Sequence, residues 1–129
     1  MHIQYMELII KFFIKDEESK YKFGGIVMKV ITLCGSLRYK KEMMVIAEKM
    51  ALEGNCILTP VYPVLEDYDR TDEQLTKLKE AHFKRIELSD AILVVNISNY
   101  VGESTNSEIE YAKKLNKEII YYTDLMKSN

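Results

Sequence analysis

A short apolar run, Ala91-Ile-Leu-Val-Val-Asn96, leads into the polar stretch Asn99-Tyr-Val-Gly-Glu-Ser-Thr-Asn-Ser-Glu108, and this pair constrains the chain more than any other feature. Adjacent valines without polar alternation read as a strand covered on both faces, which belongs in a parallel sheet. Ile109, Ala112 and Leu115 recur at helical spacing, so a helix is expected from Glu108 to Leu115 with Thr105 as its N-cap. The loop between strand and helix then lies where parallel α/β folds bind ligands, beyond the carboxyl end of a strand and beside free helix N–H groups. Thr105-x-x-Glu108 also has the form of a capping box, in which Glu108 would only satisfy its own helix. Both readings stay open at this stage.

The flanking segments repeat the same alternation. Lys29-Val-Ile-Thr-Leu-Cys34 reads as a strand ending at Gly35, and Lys40 to Glu53 as a helix closed by Gly54. Cys56-Ile-Leu-Thr59 is a second strand. Thr71-x-x-Gln74 opens a helix with Leu75, Leu78, His82 and Ile86 along one side, ending near Ser89, and Glu118-Ile-Ile-Tyr-Tyr122 is the last strand. Right-handed crossovers then predict an α/β, flavodoxin-like or Rossmann-like three-layer fold with a parallel sheet of strand order 2-1-3-4. The switch point falls between the first and third strands. There the loop Gly35-Ser-Leu-Arg38 meets the loop from Ile97 to Glu108. Gly35 permits a tight turn, Ser36 offers a hydroxyl, and Arg38 offers a guanidinium suited to phosphate, or else a solvated first-turn residue. Tyr39 and Tyr100 flank the expected pocket, while Asp90 falls at the opposite end of its strand.

The chain has 129 residues, 47% hydrophobic and 29% charged, which fits one domain with a sizeable core. Its net charge of −2 and pI near 5.7 give no electrostatic footprint for nucleic acid, and no apolar run spans a bilayer. A cytoplasmic location is expected, because no signal peptide is evident and Cys34 and Cys56 read as reduced core residues. No Cys/His cluster has metal-ligand spacing, so neither a metal nor a redox cofactor is expected. Residues 1–27 look unlike the rest. The adjacent codons of Gly24 and Gly25 read GGNGGN, which can contain a GGAGG ribosome-binding sequence, and Ile26 and Val27 would supply the short spacer before a start at Met28. The expectation is an N-terminal extension over 1–27 and a domain over 28–129. The structural alternative for the extension is an edge strand or helix from Gln4 to Lys15.

Three segments together carry a resemblance: Cys34-Gly-Ser-Leu-Arg38, Ser89-Asp-Ala-Ile-Leu-Val-Val-Asn96, and Glu103-Ser-Thr-x-x-Glu108-Ile-x-Tyr-Ala112. From Met28 to about Tyr122 the chain resembles the nucleoside 2-deoxyribosyltransferase superfamily, which includes the 2'-deoxynucleoside 5'-phosphate N-hydrolases. The resemblance implies cleavage or transfer at the N-glycosidic bond of a nucleoside or nucleoside 5'-monophosphate. Glu108 would be the nucleophile of a retaining double displacement. It further implies phosphate or sugar contacts from Ser36, Arg38, Ser104 and Thr105, with Gly35, Tyr100 and Gly102 shaping the substrate site, and a homo-oligomer. The superfamily carries a tyrosine where this chain has Thr32 and an aspartate where His82 aligns. His82 itself is either a satisfied core histidine or a group that orients Glu108 or protonates the leaving base. Two other functions fit the same loops: a non-catalytic nucleotide sensor, and a flavodoxin-like FMN reductase, although Tyr39-Lys-Lys41 replaces the latter's usual Ser- and Asn-rich helix start. A cysteine phosphatase built on Cys34 is excluded because Arg38 follows too closely.

Overall fold

Alternate residues of the two central strands are apolar on both faces, so each face needs its own helical cover. The computed structural model describes residues 21–23, 26–64 and 69–127 and supplies that cover. Strands β1 (Tyr21–Phe23) and β2 (Ile26–Met28) pair antiparallel with each other, Tyr21 opposite Met28. They were not expected from the sequence, since three-residue strands carry no readable period. The expectations for Gln4 to Lys15 lie outside the described residues.

The main sheet consists of β3 (Val30–Cys34), β4 (Cys56–Leu58), β5 (Ala91–Val94) and β6 (Glu118–Tyr121). All pairs are parallel and the order is β4-β3-β5-β6, with Ile31 in register with both Ile57 and Ala91. This is the expected 2-1-3-4 arrangement. The helices are α1 (Lys40–Leu52), α2 (Asp72–Leu88), α3 (Glu103–Lys114) and α4 (Tyr122–Lys127). On one face Ile31, Leu33, Ala91 and Leu93 meet Met43, Ile46 and Met50 of α1 and Leu125 of α4. On the other, Cys34, Ile92 and Val94 meet Ile86 of α2 and Ile109 and Ala112 of α3. Each fully buried leucine or isoleucine contributes about 1.5–3 kcal/mol. Among the described residues no helix is long and apolar enough to cross a membrane.

Local signals account for most helix ends. Thr71 and Gln74 form the expected capping box, with Thr71 N donating to Gln74 Oε1 at 2.9 Å and Gln74 N donating to Thr71 Oγ1 at 3.1 Å. Gly54 sits at φ +100° after α1, and the Gly54 and Asn55 N–H groups cap the Ala51 and Met50 carbonyls. Asp90 lies at the junction as expected, its Oδ2 accepting from Val30 N at 2.9 Å.

Two expectations are corrected. Helix α3 begins five residues earlier than the apolar spacing indicated, at Glu103 with Gly102 as N-cap. Thr105 is therefore buried within the first turn, and Thr105-x-x-Glu108 is not a capping box. Gly102 has no side chain to announce a cap, and a Cβ there would lie 3.2 Å from the Tyr100 hydroxyl. The last strand also stops at Tyr121, and α4 follows at once. Asn96 anchors it, its Oδ1 accepting from Thr123 N at 3.1 Å and its Nδ2 donating to Thr123 Oγ1 at 3.0 Å.

Candidate functional site

The C-terminal ends of β3 and β5 open into a cavity of about 430 Å³ whose walls come from the first loop, the second loop with the start of α3, and one side of α2. The first loop turns tightly because α1 approaches it. A Cβ on Gly35 would lie 3.0 Å from Met43 Sδ and 3.2 Å from Val95 O. Ser36 caps the following short helical turn through its hydroxyl, which accepts from Arg38 N at 3.3 Å. After β5 the chain bends through Ser98 and Asn99, both at positive φ, and re-enters as α3. The α3 backbone N–H groups from Glu103 to Thr105 are not consumed by a side-chain cap, and those residues line the cavity.

The half of α2 nearest its N-terminus explains why its apolar stripe is longer than the sheet it covers. His82 and Ile86 are buried in the interior, whereas Leu75 and Leu78 remain at least one-third exposed and line the cavity instead. Lys79 and Arg85 belong to the same wall. The α2–α3 seam is fixed by Phe83 stacked on Tyr111, centroids 4.6 Å apart, and by Tyr111 Oη donating to Glu87 Oε2 at 2.7 Å. That donation is the main cause holding the exposed Glu87 carboxyl below its ordinary value.

Three side chains from three elements converge here: His82 of α2 and Glu108 of α3, which line the cavity, and the fully buried Cys34 of β3. His82 Nε2 lies 3.8 Å from Cys34 Sγ and 3.8 Å from Glu108 Oε1. Burial pushes the Glu108 carboxyl up to about 7, against the Cys34 thiol donating to it and the charge of Lys79. Burial and then the Arg85 guanidinium hold His82 down at about 4, a hydrogen bond at the Leu33 backbone acting the other way. Burial and the neighbouring Glu108 raise the Cys34 thiol well above its usual range. Near neutral pH His82 is thus uncharged, so its contact with Glu108 is not an ion pair. Cys34 remains a thiol rather than a nucleophilic thiolate.

The ligating atoms of Cys34, His82 and Glu108 lie within 4.8 Å of one another, close enough to share a cation. The spacing argument missed this cluster because its members are distant in sequence. One contact disfavours a metal: the Arg85 guanidinium approaches His82 Nδ1 at 3.2 Å. Coordination through Nε2 would place a proton on Nδ1, where it would confront a guanidinium N–H.

Of the residues singled out from sequence, Gly35, Ser36, His82, Tyr100, Gly102, Ser104, Thr105 and Glu108 all line the cavity. Arg38 does not. It is exposed, and its Cζ sits 4.0 Å from the centroid of the Tyr100 ring, a cation–π contact. Tyr39 meets Tyr100 edge-on with centroids 6.4 Å apart, behind the lining. Thr32 is fully buried and bonds to Ser89 Oγ and, at 3.1 Å, to the Arg85 carbonyl, so it ties β3 to the end of α2. Lys79 and Arg85 were overlooked, although both lie on the helical stripe of Leu75, Leu78 and His82 and so share its face. No protein-family model matches the chain, and no curated protein matches it.

Proposed function

We propose that the cavity binds a nucleoside or nucleoside 5'-monophosphate and that Glu108 cleaves its N-glycosidic bond. The observation that carries this reading is the largely buried carboxylate of Glu108 in the cavity lining, side-chain exposure 13%, near the α3 N-terminus that no side chain caps. A carboxylate so placed can attack the anomeric carbon as the carbon–nitrogen bond to the base breaks. The glycosyl ester that forms is then opened by water or by a second base. Leu75 and Leu78 offer apolar contact for a base, and Tyr100 an aromatic face. An anionic group fits at the α3 N-terminus, within reach of Lys79. The resemblance to the nucleoside 2-deoxyribosyltransferase superfamily supports the same assignment, with Glu108 in the matching position.

The test is incubation with a panel of nucleosides and their monophosphates, free base being followed by chromatography. Base release should appear for at least one member and vanish in Glu108→Gln while that ligand still raises the melting temperature. Because attack needs the ionised carboxylate, kcat/KM should climb with pH through about 7 and then level. Turnover undiminished in Glu108→Gln would refute the mechanism.

A further inference from the structure

We propose that Arg85 is a positioning residue for Glu108, acting by locking His82 in the tautomer that points a hydrogen-bond donor at the carboxylate. A guanidinium has only donors, so its approach to His82 Nδ1 at 3.2 Å requires Nδ1 to accept. An uncharged imidazole carries one proton, which must then sit on Nε2. That nitrogen faces Glu108 Oε1 and Cys34 Sγ, each 3.8 Å away. Arg85 and His82 are three residues apart on α2 and therefore neighbours on one helical face, so the lock is built into a rigid element. The groups around the ring are Cys34 and the Leu33 backbone from β3, Glu108 from α3 and Arg85 from α2 itself, with Lys79 adding positive charge near Glu108.

The consequence is directional. A donor at Nε2 holds one carboxylate oxygen and favours its ionised form, leaving the other oxygen for the sugar carbon. The 3.8 Å separation is longer than a hydrogen bond, as such contacts often are before a ligand closes the site. The opposite tautomer would turn a lone pair toward Glu108 and repel it. It would also present the Nε2 lone pair that a metal requires, so the Arg85 contact selects against a cation on this cluster.

The effect on turnover rests on the glycosidase reading above; the tautomer does not. The chain contains two histidines, so nitrogen-15 NMR of the full protein, with His2→Gln for assignment, reads the His82 ring directly. Wild type should show protonated Nε2 and unprotonated Nδ1 from pH 5 to pH 8, unchanged on adding Zn²⁺. Arg85→Met should give a mixture of tautomers, with kcat lower by about 10- to 100-fold and KM little changed, the scale expected for a misplaced reacting group. Arg85→Lys keeps a donor and should restore both the tautomer and most of kcat. A wild-type ring protonated on Nδ1, a Zn²⁺-coordinated Nε2, or an Arg85→Met protein that loses kcat with its tautomer intact would each overturn the proposal. Should wild type release no base at all, the proposed function falls, and the NMR spectra still decide the tautomer lock.

Discussion

Glu108 and His82 make opposite contributions to the pH dependence of folding, and removing either should expose the other. Burial lifts the Glu108 carboxyl from 4.5 to about 7, so between those values the native state keeps a proton that the unfolded chain has released. Stability contributed by this group therefore falls as pH rises through the window, by about 3 kcal/mol at roughly 1.4 kcal/mol per pH unit. His82 runs the other way. Its pKa drops from 6.5 to about 4, so in that interval the unfolded chain holds the extra proton and stability rises with pH. The size is again about 3 kcal/mol. From pH 4.5 to 6.5 the two slopes nearly cancel in wild type. Each shift arises first from burial; Arg85 adds to that of His82, whereas Cys34 and then Lys79 oppose that of Glu108, and neither group is a cause of the other's shift, so each should survive loss of the other.

The assay is urea unfolding of wild type, His82→Gln and Glu108→Gln from pH 4 to pH 8, followed by circular dichroism because the chain has no tryptophan. Subtracting variant from wild type removes the background from the other carboxylates. Wild type minus His82→Gln should rise by about 3 kcal/mol up to pH 6.5 and then stay flat, whereas wild type minus Glu108→Gln should fall by a similar amount up to about pH 7. Above that pH Glu108→Gln should be the more stable protein, as expected where a functional charge is kept buried at the expense of folding. Parallel profiles for all three proteins would refute the reasoning, since they would mean that neither group changes its proton affinity on folding.

Gly35→Ala should destabilise the fold by about 1–3 kcal/mol, because the new methyl must push Met43 or the Val95 carbonyl aside; urea midpoints measure this. If an anion sits at the α3 N-terminus beside Lys79, a nucleoside monophosphate should raise the melting temperature more than its nucleoside. Lys79→Met should then narrow that difference, while Arg38→Ala, whose guanidinium lies on Tyr100 outside the cavity, should leave it intact. Thermal shift with matched ligand pairs decides between them.

The sheet order, the capping box at Thr71 and the Gly54 helix stop were legible in the sequence because each depends on local period or local backbone preference. The start of α3 was not. Its N-cap is Gly102, which makes no side-chain cap, and its first turn is polar, so the apolar spacing alone pointed to Glu108. Its end was legible: the apolar spacing stops at Leu115, which is the C-cap, and Asn116 follows at positive φ. Cys34 reads correctly as a buried strand residue, yet only the packing of α2 and α3 on that face sets its sulfur beside His82 and Glu108. For Arg38 the sequence position suggests an anion ligand, and only the tertiary structure shows its guanidinium over the Tyr100 ring that the second loop brings to it. Local chemistry determined which elements form and in what order they pair. Long-range packing decided which side chains share the cavity and which protons they keep, because burial and neighbouring charge exist only after distant segments meet.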